Sequence, residues 1–330
     1  MRSNLNHAGV KSSLMSLPEH IQHEVEIPYS GGVLGGVLLT PSFSGRHPAI
    51  VLLPGSGVAD RDVPYILPVR EHLVDHGIAT LVFDKPGLGG SSGDWRHQTF
   101  YDRVEQSRAA IKFLQTRSDI NPRQVGLYGI SQGAWITLLA AATYPDIRFI
   151  IPVSAPAMMP VDQDLYYVEH MMRADGFSEQ QIQRALQYVK DVLGAAYHDA
   201  TYEEIATRFV QPVQNEPWYH YYAIPDADMW EYFRRNAQLH YNPLEWLRQV
   251  KCPVLAIFGA SDLLFPVDSS VELFRQSLAQ AGNQDVSIKV FPNSGHLITN
   301  PANGELAPGF LELITDWLKQ RMHILQTGYD

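Results

Sequence analysis

A serine flanked by glycines stands between an apolar run and a helix-like segment. The run Gln124-Val-Gly-Leu-Tyr128 leads into Gly129-Ile-Ser-Gln-Gly133, and Ala134-Trp-Ile-Thr-Leu-Leu-Ala140 follows at once. In this strand, turn and helix context, small residues permit a cramped turn that lifts the serine hydroxyl above the end of the strand. The pattern predicts that Ser131 is a nucleophile for acyl transfer and that the main-chain N–H of Gln132 is one donor to the oxyanion.

A second match to the same G-x-S-x-G pattern occurs at Gly89-Gly-Ser-Ser-Gly93, so the pattern alone does not select the nucleophile. Ser91 lies several residues past its strand. The segment Asp94-Trp-Arg-His-Gln98 that follows it has neither a helix start nor apolar periodicity. We therefore expect Ser131 to be the nucleophile and Ser91 to belong to a flexible, glycine-rich loop at the border of the site.

A serine nucleophile needs a base, and the base needs an acid that orients it. The apolar runs 254–258 and 286–291 each end in a loop that carries one of these groups, Asp262 after the first and His296 after the second. Both residues follow the carboxyl ends of strands, as Ser131 does, so the three side chains can meet above one edge of a sheet. The order Ser, Asp, His predicts a catalytic triad.

Each of these two assignments has a plainer alternative. Asp262 could cap a turn and leave the acid to Asp268, but Asp268 follows Pro266 and is better placed to cap the next helix. The chain has 13 histidines, and most are expected to be solvated surface groups. His296 differs from them by the Ser-Gly before it and by its place after the last strand, which favours a catalytic role over a structural one.

A glycine-rich loop, Pro54-Gly-Ser-Gly57, follows directly after the apolar run 49–53. The glycines allow the backbone to approach a substrate closely. We expect the main-chain N–H of Ser56 to be the first oxyanion donor, with Gly55 or Gly57 as alternatives, and we expect both glycines to contact substrate. A simple chain reversal is the plainer explanation of this loop.

The elements that must position these residues alternate along the chain. Two runs with polar and apolar alternation, 23–29 and 33–39, precede the continuous apolar run 49–53, which is typical of an antiparallel edge that leads into a sheet covered on both faces. Helical and strand-like runs then alternate, as in a parallel doubly wound sheet. The predicted helices are 68–76, 100–116, 134–143, 269–281 and 310–322, and the predicted strands are 79–83, 124–128, 149–153, 254–258 and 286–291.

This alternation stops for about a hundred residues after the sixth strand. The segment 156–249 has no strand-like runs and contains amphipathic helical patterns, so we predict a helical cap inserted into the sheet domain. The core domain then comprises residues 21–155 and 250–330, and residues 1–20 form a flexible arm because they offer no apolar face. The cap is rich in aromatic and methionine side chains, which either form its own core or line an apolar pocket. We expect the pocket to include Met158, Tyr166 and Trp230.

Composition excludes several classes of function. A net charge of -10 and a pI near 5.7 provide no basic face for nucleic acid. The single Cys252 cannot form an internal disulfide. The polar first nineteen residues lack a secretory h-region and no window is long enough to span a membrane, so we expect a cytoplasmic protein. The histidines show no paired metal-ligand spacing, and neither metal nor organic cofactor is expected.

These motifs together resemble the α/β-hydrolase superfamily from His23 to the end of the chain. The stretches Gly55-Ser-Gly-Val-Ala-Asp-Arg-Asp62 and Phe83-Asp-Lys-Pro-Gly-Leu-Gly-Gly-Ser-Ser-Gly93 are similar to those of bacterial esterases and acyl hydrolases related to dienelactone hydrolases and serine aminopeptidases. Pro86 stands where many of these proteins have arginine, which bears on how this loop is anchored.

The resemblance implies hydrolysis of a small-molecule ester with an apolar or aromatic portion through an acyl-enzyme. Peptide or amide hydrolysis and thioester hydrolysis are the alternatives within the superfamily. A ligand-binding protein without turnover is the alternative from another class, because fold alone does not establish function.

Overall fold

An eight-stranded sheet forms the centre of the computed structural model, which describes residues 20–237 and 241–322. The strand order is β1-β2-β4-β3-β5-β6-β7-β8; β2 is antiparallel to both of its neighbours, and the remaining pairs are parallel. The predicted parallel sheet with an antiparallel edge is therefore confirmed. The strands are β1 (His20–Tyr29), β2 (Gly32–Pro41), β3 (His47–Leu53), β4 (Ala79–Phe83), β5 (Ile120–Ile130), β6 (Ile150–Val153), β7 (Val254–Gly259) and β8 (Val286–Phe291).

Helices cover both faces of this sheet. The α-helices of the described residues are α1 (Leu67–Asp75), α2 (Phe100–Thr116), α3 (Gln132–Thr143), α4 (Pro160–Ala174), α5 (Glu179–Tyr197), α6 (Tyr202–Ile205), α7 (Ala227–Ala237), α8 (Pro243–Leu247), α9 (Val267–Gln280) and α10 (Phe310–Arg321). Helices α2, α3, α8 and α9 pack on one face, and α1 and α10 pack on the other. In β3 the side chains of Ala49, Val51 and Leu53 enter the first core, and those of Ile50 and Leu52 enter the second. This explains the continuous apolar run, because both faces of a central strand are buried.

The predicted helices and strands of the core all form, with boundaries that differ by a few residues. The largest difference is in β5, which begins at Ile120 rather than at 124. Its polar first residues do not show the apolar pattern of a strand, but Ile120 pairs with His47 of β3 and so extends the ladder. Sequence periodicity detects burial, whereas this pairing depends on a neighbouring strand.

The segment between β6 and β7 is helical. Helices α4, α5 and α7 share a hydrophobic cluster with the chain around Trp218, separate from the two sheet cores. Helix α5 begins at a capping box between Ser178 and Gln181, which satisfies its first amide groups. The last part of the segment packs against the sheet instead, because Leu247 of α8 lies in the first sheet core. Across the described residues, no helix is both long and apolar enough to span a membrane.

Candidate active site

Ser131 occupies a sharp turn between β5 and α3. Its backbone lies at φ 57° and ψ -124°, a conformation that few non-glycine residues adopt. The flanking glycines are required by space: a Cβ on Gly129 would lie 2.2 Å from the Gly133 oxygen, and a Cβ on Gly133 would lie 2.3 Å from the Leu53 oxygen. The Ser131 N–H donates to the Val153 oxygen at 2.9 Å, which fixes the turn to the end of β6.

The turn leads straight into α3, whose first residue is Gln132. The first amide groups of a helix have no partner within it, and the helix dipole favours negative charge at this end. Within the described part of the chain, the Gln132 N–H donates to no protein acceptor. It therefore lies beside Ser131 as an unused donor.

The acid and the base come together above the ends of β7 and β8. His296 Nδ1 lies 2.6 Å from Asp262 Oδ2, and the Asp262 side chain is fully buried. The other carboxylate oxygen accepts the Leu264 N–H at 2.9 Å. The alternative acid, Asp268, is exposed in the first turn of α9. The structure thus brings Asp262 and not Asp268 to the histidine.

The loop that carries His296 is held on two sides. Ser154, directly after β6, donates its hydroxyl to the His296 carbonyl at 2.7 Å. On the other side the loop touches Gly259 at the end of β7, where a Cβ would lie 2.2 Å from the Gly295 oxygen. Since the Ser131 N–H binds the neighbouring Val153, the serine and the histidine loops meet at the end of one strand.

The second ring nitrogen of His296, Nε2, is buried and has no hydrogen-bond partner among the described residues. Ser131 Oγ therefore does not donate to it in this structure. A buried polar atom without a partner is uncommon in proteins, and catalytic hydrogen bonds often form only when substrate is bound. Nε2 is thus left available to take a proton.

The predicted oxyanion loop lies against the nucleophile. A Cβ on Gly55 would lie 3.3 Å from the Ser131 Cβ. The Gly55 N–H is already donated to the Tyr65 hydroxyl at 3.1 Å, whereas the Ser56 N–H donates to no acceptor within the described ranges. Gly57 has φ +72°, where glycine is favoured, and a Cβ there would meet open space. These contacts favour Ser56 over Gly55 as the free donor.

Two buried basic residues bind this loop, and neither was predicted from the sequence. Lys85 Nζ donates to the Gly55 and Gly57 oxygens at 2.7 and 2.6 Å. Arg103 donates to the Pro54 oxygen at 2.8 Å and to the Gln132 side-chain oxygen at 2.5 Å. The signal for Arg103 was its position on the buried face of α2, where apolar residues are expected. Burial lowers the pKa of Lys85 well below its ordinary value, with Arg103 adding to the effect, and burial lowers the pKa of Arg103 to about 10.

Asp84 anchors the loop that contains Pro86. Its buried carboxylate receives the Arg61 guanidinium at 2.6 Å and the Gly90 N–H at 2.8 Å. Ser91 is buried, donates to the Asp84 oxygen at 2.7 Å and accepts the Gly35 N–H at 2.9 Å. The expectation of a flexible loop at Ser91 is wrong, because its hydroxyl is held by the backbone of β2 and by the Asp84 carbonyl that follows β4.

The cap residues expected in the pocket differ in their surroundings. Tyr166 is half-buried, stacks on His170, and has its pKa raised by burial and by the nearby Asp262 carboxylate. Met158 packs against the sheet core. Trp230 is buried in the hydrophobic cluster of α4, α5 and α7 and donates to the Ala200 oxygen, so its predicted contact with substrate finds no support in this structure.

Tyr232 of α7 also lies beside the site, although the sequence pattern did not indicate it. Its hydroxyl accepts the Gln132 side-chain N–H at 3.1 Å, and its ring contacts Trp95 with centroids 5.2 Å apart. The helical segment between β6 and β7 therefore touches the residue beside Ser131.

The sheet order, the turn at Ser131 and the Asp262–His296 pair define an α/β-hydrolase fold. The chain belongs to the X-Pro dipeptidyl-peptidase (S15) family, whose model matches residues 13–303.

Similar solved structures include esterase Pf2001 of Pyrococcus furiosus, with a TM-score of 0.61, 19% identity and coverage of 92% of this chain and 91% of that one. Est1E of Butyrivibrio proteoclasticus, solved with ferulic acid bound, has a TM-score of 0.57, 20% identity and coverage of 91% and 98%. Thiohydrolase apmlB of Arthrinium phaeospermum is 31% identical over 150 residues, 44% of this chain and 45% of that protein. The chain spans between a third and a half of the length of the first curated relatives it matches.

Proposed function

We propose that the protein hydrolyses carboxylic esters of small molecules through an acyl-enzyme on Ser131. His296 Nε2 takes the Ser131 proton as Oγ attacks the ester carbonyl, and Asp262 stabilises the imidazolium. The oxyanion accepts hydrogen bonds from the Ser56 and Gln132 N–H groups. The alcohol leaves with the proton from His296; water then attacks the acyl-enzyme, again through His296, and releases the acid and the free serine.

The observation that carries this proposal is the orientation of the histidine. Nδ1 is committed to a buried carboxylate at 2.6 Å, and the opposite nitrogen is left buried without a partner among the described residues. This fixes the proton of the neutral ring on Nδ1 and leaves Nε2 as the acceptor that a general base requires.

Esters with an apolar or aromatic portion are the proposed substrates. The similar Est1E structure holds ferulic acid, an aromatic acid, and Tyr166 lies near Asp262 in this chain. The cap proposed at 156–249 would cover this part of the site. Peptide or amide hydrolysis is a second candidate, favoured by the description of the S15 family, and thioester hydrolysis is a third, favoured by the thiohydrolase relative. A cytoplasmic location also stays a proposal, which cell fractionation tests.

A panel of p-nitrophenyl esters, acyl thioesters and aminoacyl-nitroanilides separates these candidates. We expect esters to have the highest kcat/KM and the Ser131→Ala variant to lose about 10⁶-fold in kcat. The matched control is Ser91→Ala in the second G-x-S-x-G match, which should keep full ester turnover per folded molecule. Anilide preference would favour the second candidate, and thioester preference the third. Turnover that survives in Ser131→Ala would exclude the proposed mechanism.

A further inference from the structure

One peptide group of the oxyanion loop carries both a bound cation and the proposed donor. The peptide between Gly55 and Ser56 is trans, as are all peptide bonds of the described residues. In a trans peptide the C=O and the N–H point in opposite directions. Because Lys85 Nζ holds the Gly55 oxygen at 2.7 Å, the Ser56 N–H must point away from Lys85.

Lys85 binds the oxyanion loop at two places. It also binds the Gly57 oxygen at 2.6 Å, so the carbonyls on both sides of Ser56 converge on one nitrogen, Nζ of Lys85. Lys85 itself is 4% exposed, directly after β4. A rotation of the Gly55–Ser56 peptide would break the bond to the Gly55 oxygen and leave a buried donor without this acceptor, which is unfavourable.

Arg103 connects this loop to the second donor. One of its terminal nitrogens binds the Pro54 oxygen, and the other binds the side-chain oxygen of Gln132, the residue whose N–H starts α3. The Tyr232 hydroxyl accepts from the nitrogen of the same Gln132 amide. The two arms of the proposed oxyanion hole are therefore held in a fixed relation by one guanidinium group.

Neither cation forms an ion pair with a carboxylate in the described parts of the chain; their hydrogen bonds go to carbonyl and amide oxygens. Both are more than nine-tenths buried, and a buried charge without a counterion is costly. Neutral donors would hold a loop at lower cost. The positive charge of Arg103 can stabilise the negative oxygen that develops in the transition state, because charges interact strongly where little water is present.

We propose that Lys85 and Arg103 are positioning residues that orient the two oxyanion donors, and that the Arg103 guanidinium also stabilises the tetrahedral oxyanion by its charge. This inference rests on the proposed acyl-transfer function, which it extends to two residues that do not touch the reacting atoms.

The first test is Lys85→Met, with Lys251→Met as matched control because Lys251 also binds a main-chain carbonyl, that of Ala281, outside the site. We expect Lys85→Met to lower kcat for p-nitrophenyl acetate about 10²-fold, as loss of one oxyanion donor does, with KM nearly unchanged. Affinity for a trifluoromethyl ketone, which forms a tetrahedral adduct with the serine, should fall by a similar factor. Lys251→Met should change neither quantity.

A fluorophosphonate titration counts the sites that remain folded and reactive, so all rates are expressed per active site. If Lys85→Met yields no folded protein, the pair Arg103→Lys and Arg103→Gln makes the same comparison. Arg103→Lys keeps the charge and Arg103→Gln removes it. We expect the lysine variant to retain at least about tenfold more kcat per site than the glutamine variant, because the charge stabilises the oxyanion.

The inference and the proposed function fail in different ways. Retained turnover in Ser131→Ala would exclude the proposed acyl-enzyme function. Abolished turnover in Ser131→Ala together with wild-type kcat and ketone affinity per active site in Lys85→Met would overturn the inference alone. Equal kcat in the two Arg103 variants would overturn the role of charge. A lower melting temperature with unchanged kcat per active site would show that the cations only stabilise the fold.

Discussion

Replacing Asp262 by asparagine tests the geometry of the base most directly, because the two side chains have the same shape. The carboxylate accepts two hydrogen bonds, from His296 Nδ1 at 2.6 Å and from the Leu264 N–H at 2.9 Å. An asparagine has one acceptor oxygen and one NH₂ group. If its oxygen keeps the Leu264 N–H, its NH₂ faces the imidazole.

The imidazole must then accept on Nδ1 and carry its proton on Nε2. In that tautomer His296 cannot take the Ser131 proton, so a properly folded enzyme has the wrong base. We expect Asp262→Asn to lower kcat by about 10³- to 10⁴-fold, which corresponds to about 4 to 5.5 kcal/mol in the activation free energy. KM should change little, because the carboxylate is buried behind the histidine.

The assay is p-nitrophenyl acetate hydrolysis per fluorophosphonate-reactive site, with Asp268→Asn as control. Asp268 is the nearby exposed carboxylate in the first turn of α9, and its replacement should leave kcat within about twofold of wild type. An Asp262→Asn enzyme that keeps more than about a tenth of wild-type kcat would refute the assigned role of this acid. Equal losses in both variants would also refute it.

Three further substitutions test the supports of the site. In Gly259→Ala the new Cβ would lie 2.2 Å from the Gly295 oxygen, so we expect the His296 loop to shift, with lower kcat and a lower melting temperature; an unchanged kcat would contradict this contact. Asp84→Asn should cost about 1 to 3 kcal/mol in the free energy of unfolding at pH 7, because the Arg61 guanidinium loses its buried carboxylate and keeps only the exposed Glu24 as a charged partner among the described residues. Burial would raise the pKa of Asp84, but Arg61 and the main-chain N–H groups that bind the carboxylate hold this pKa below its ordinary value. The stability that this group contributes in the wild type is therefore present above pH ~4 and is lost as the pH falls through the folded pKa. Denaturant unfolding at pH 7 and at a pH below the folded pKa measures this. The difference in the free energy of unfolding between variant and wild type should shrink in acid, and a constant difference would contradict the linkage. Ser91→Ala should lower stability by about 1 to 3 kcal/mol through the unpaired Gly35 N–H while leaving kcat per active site intact, so a loss of kcat there would argue against a purely structural serine.

The sequence by itself determined the order of the core elements and the three residues most able to do the chemistry. Apolar periodicity follows burial, and burial on both faces marks a central strand such as β3. Small glycines around Ser131 mark a turn with no room for a Cβ. Both signals are local, so they can be read along the chain.

Only the tertiary structure decided which groups serve as partners. Lys85 and Arg103 bind main-chain carbonyls that lie 30 and 49 residues away, and a carbonyl leaves no residue type by which a sequence could reveal it. The same holds for Ser91, whose hydroxyl is held by the backbone of β2 and of Asp84, and for Trp230, whose ring lies inside the cap. Local pattern specifies which element forms, whereas contacts between distant backbone groups depend on how the elements pack.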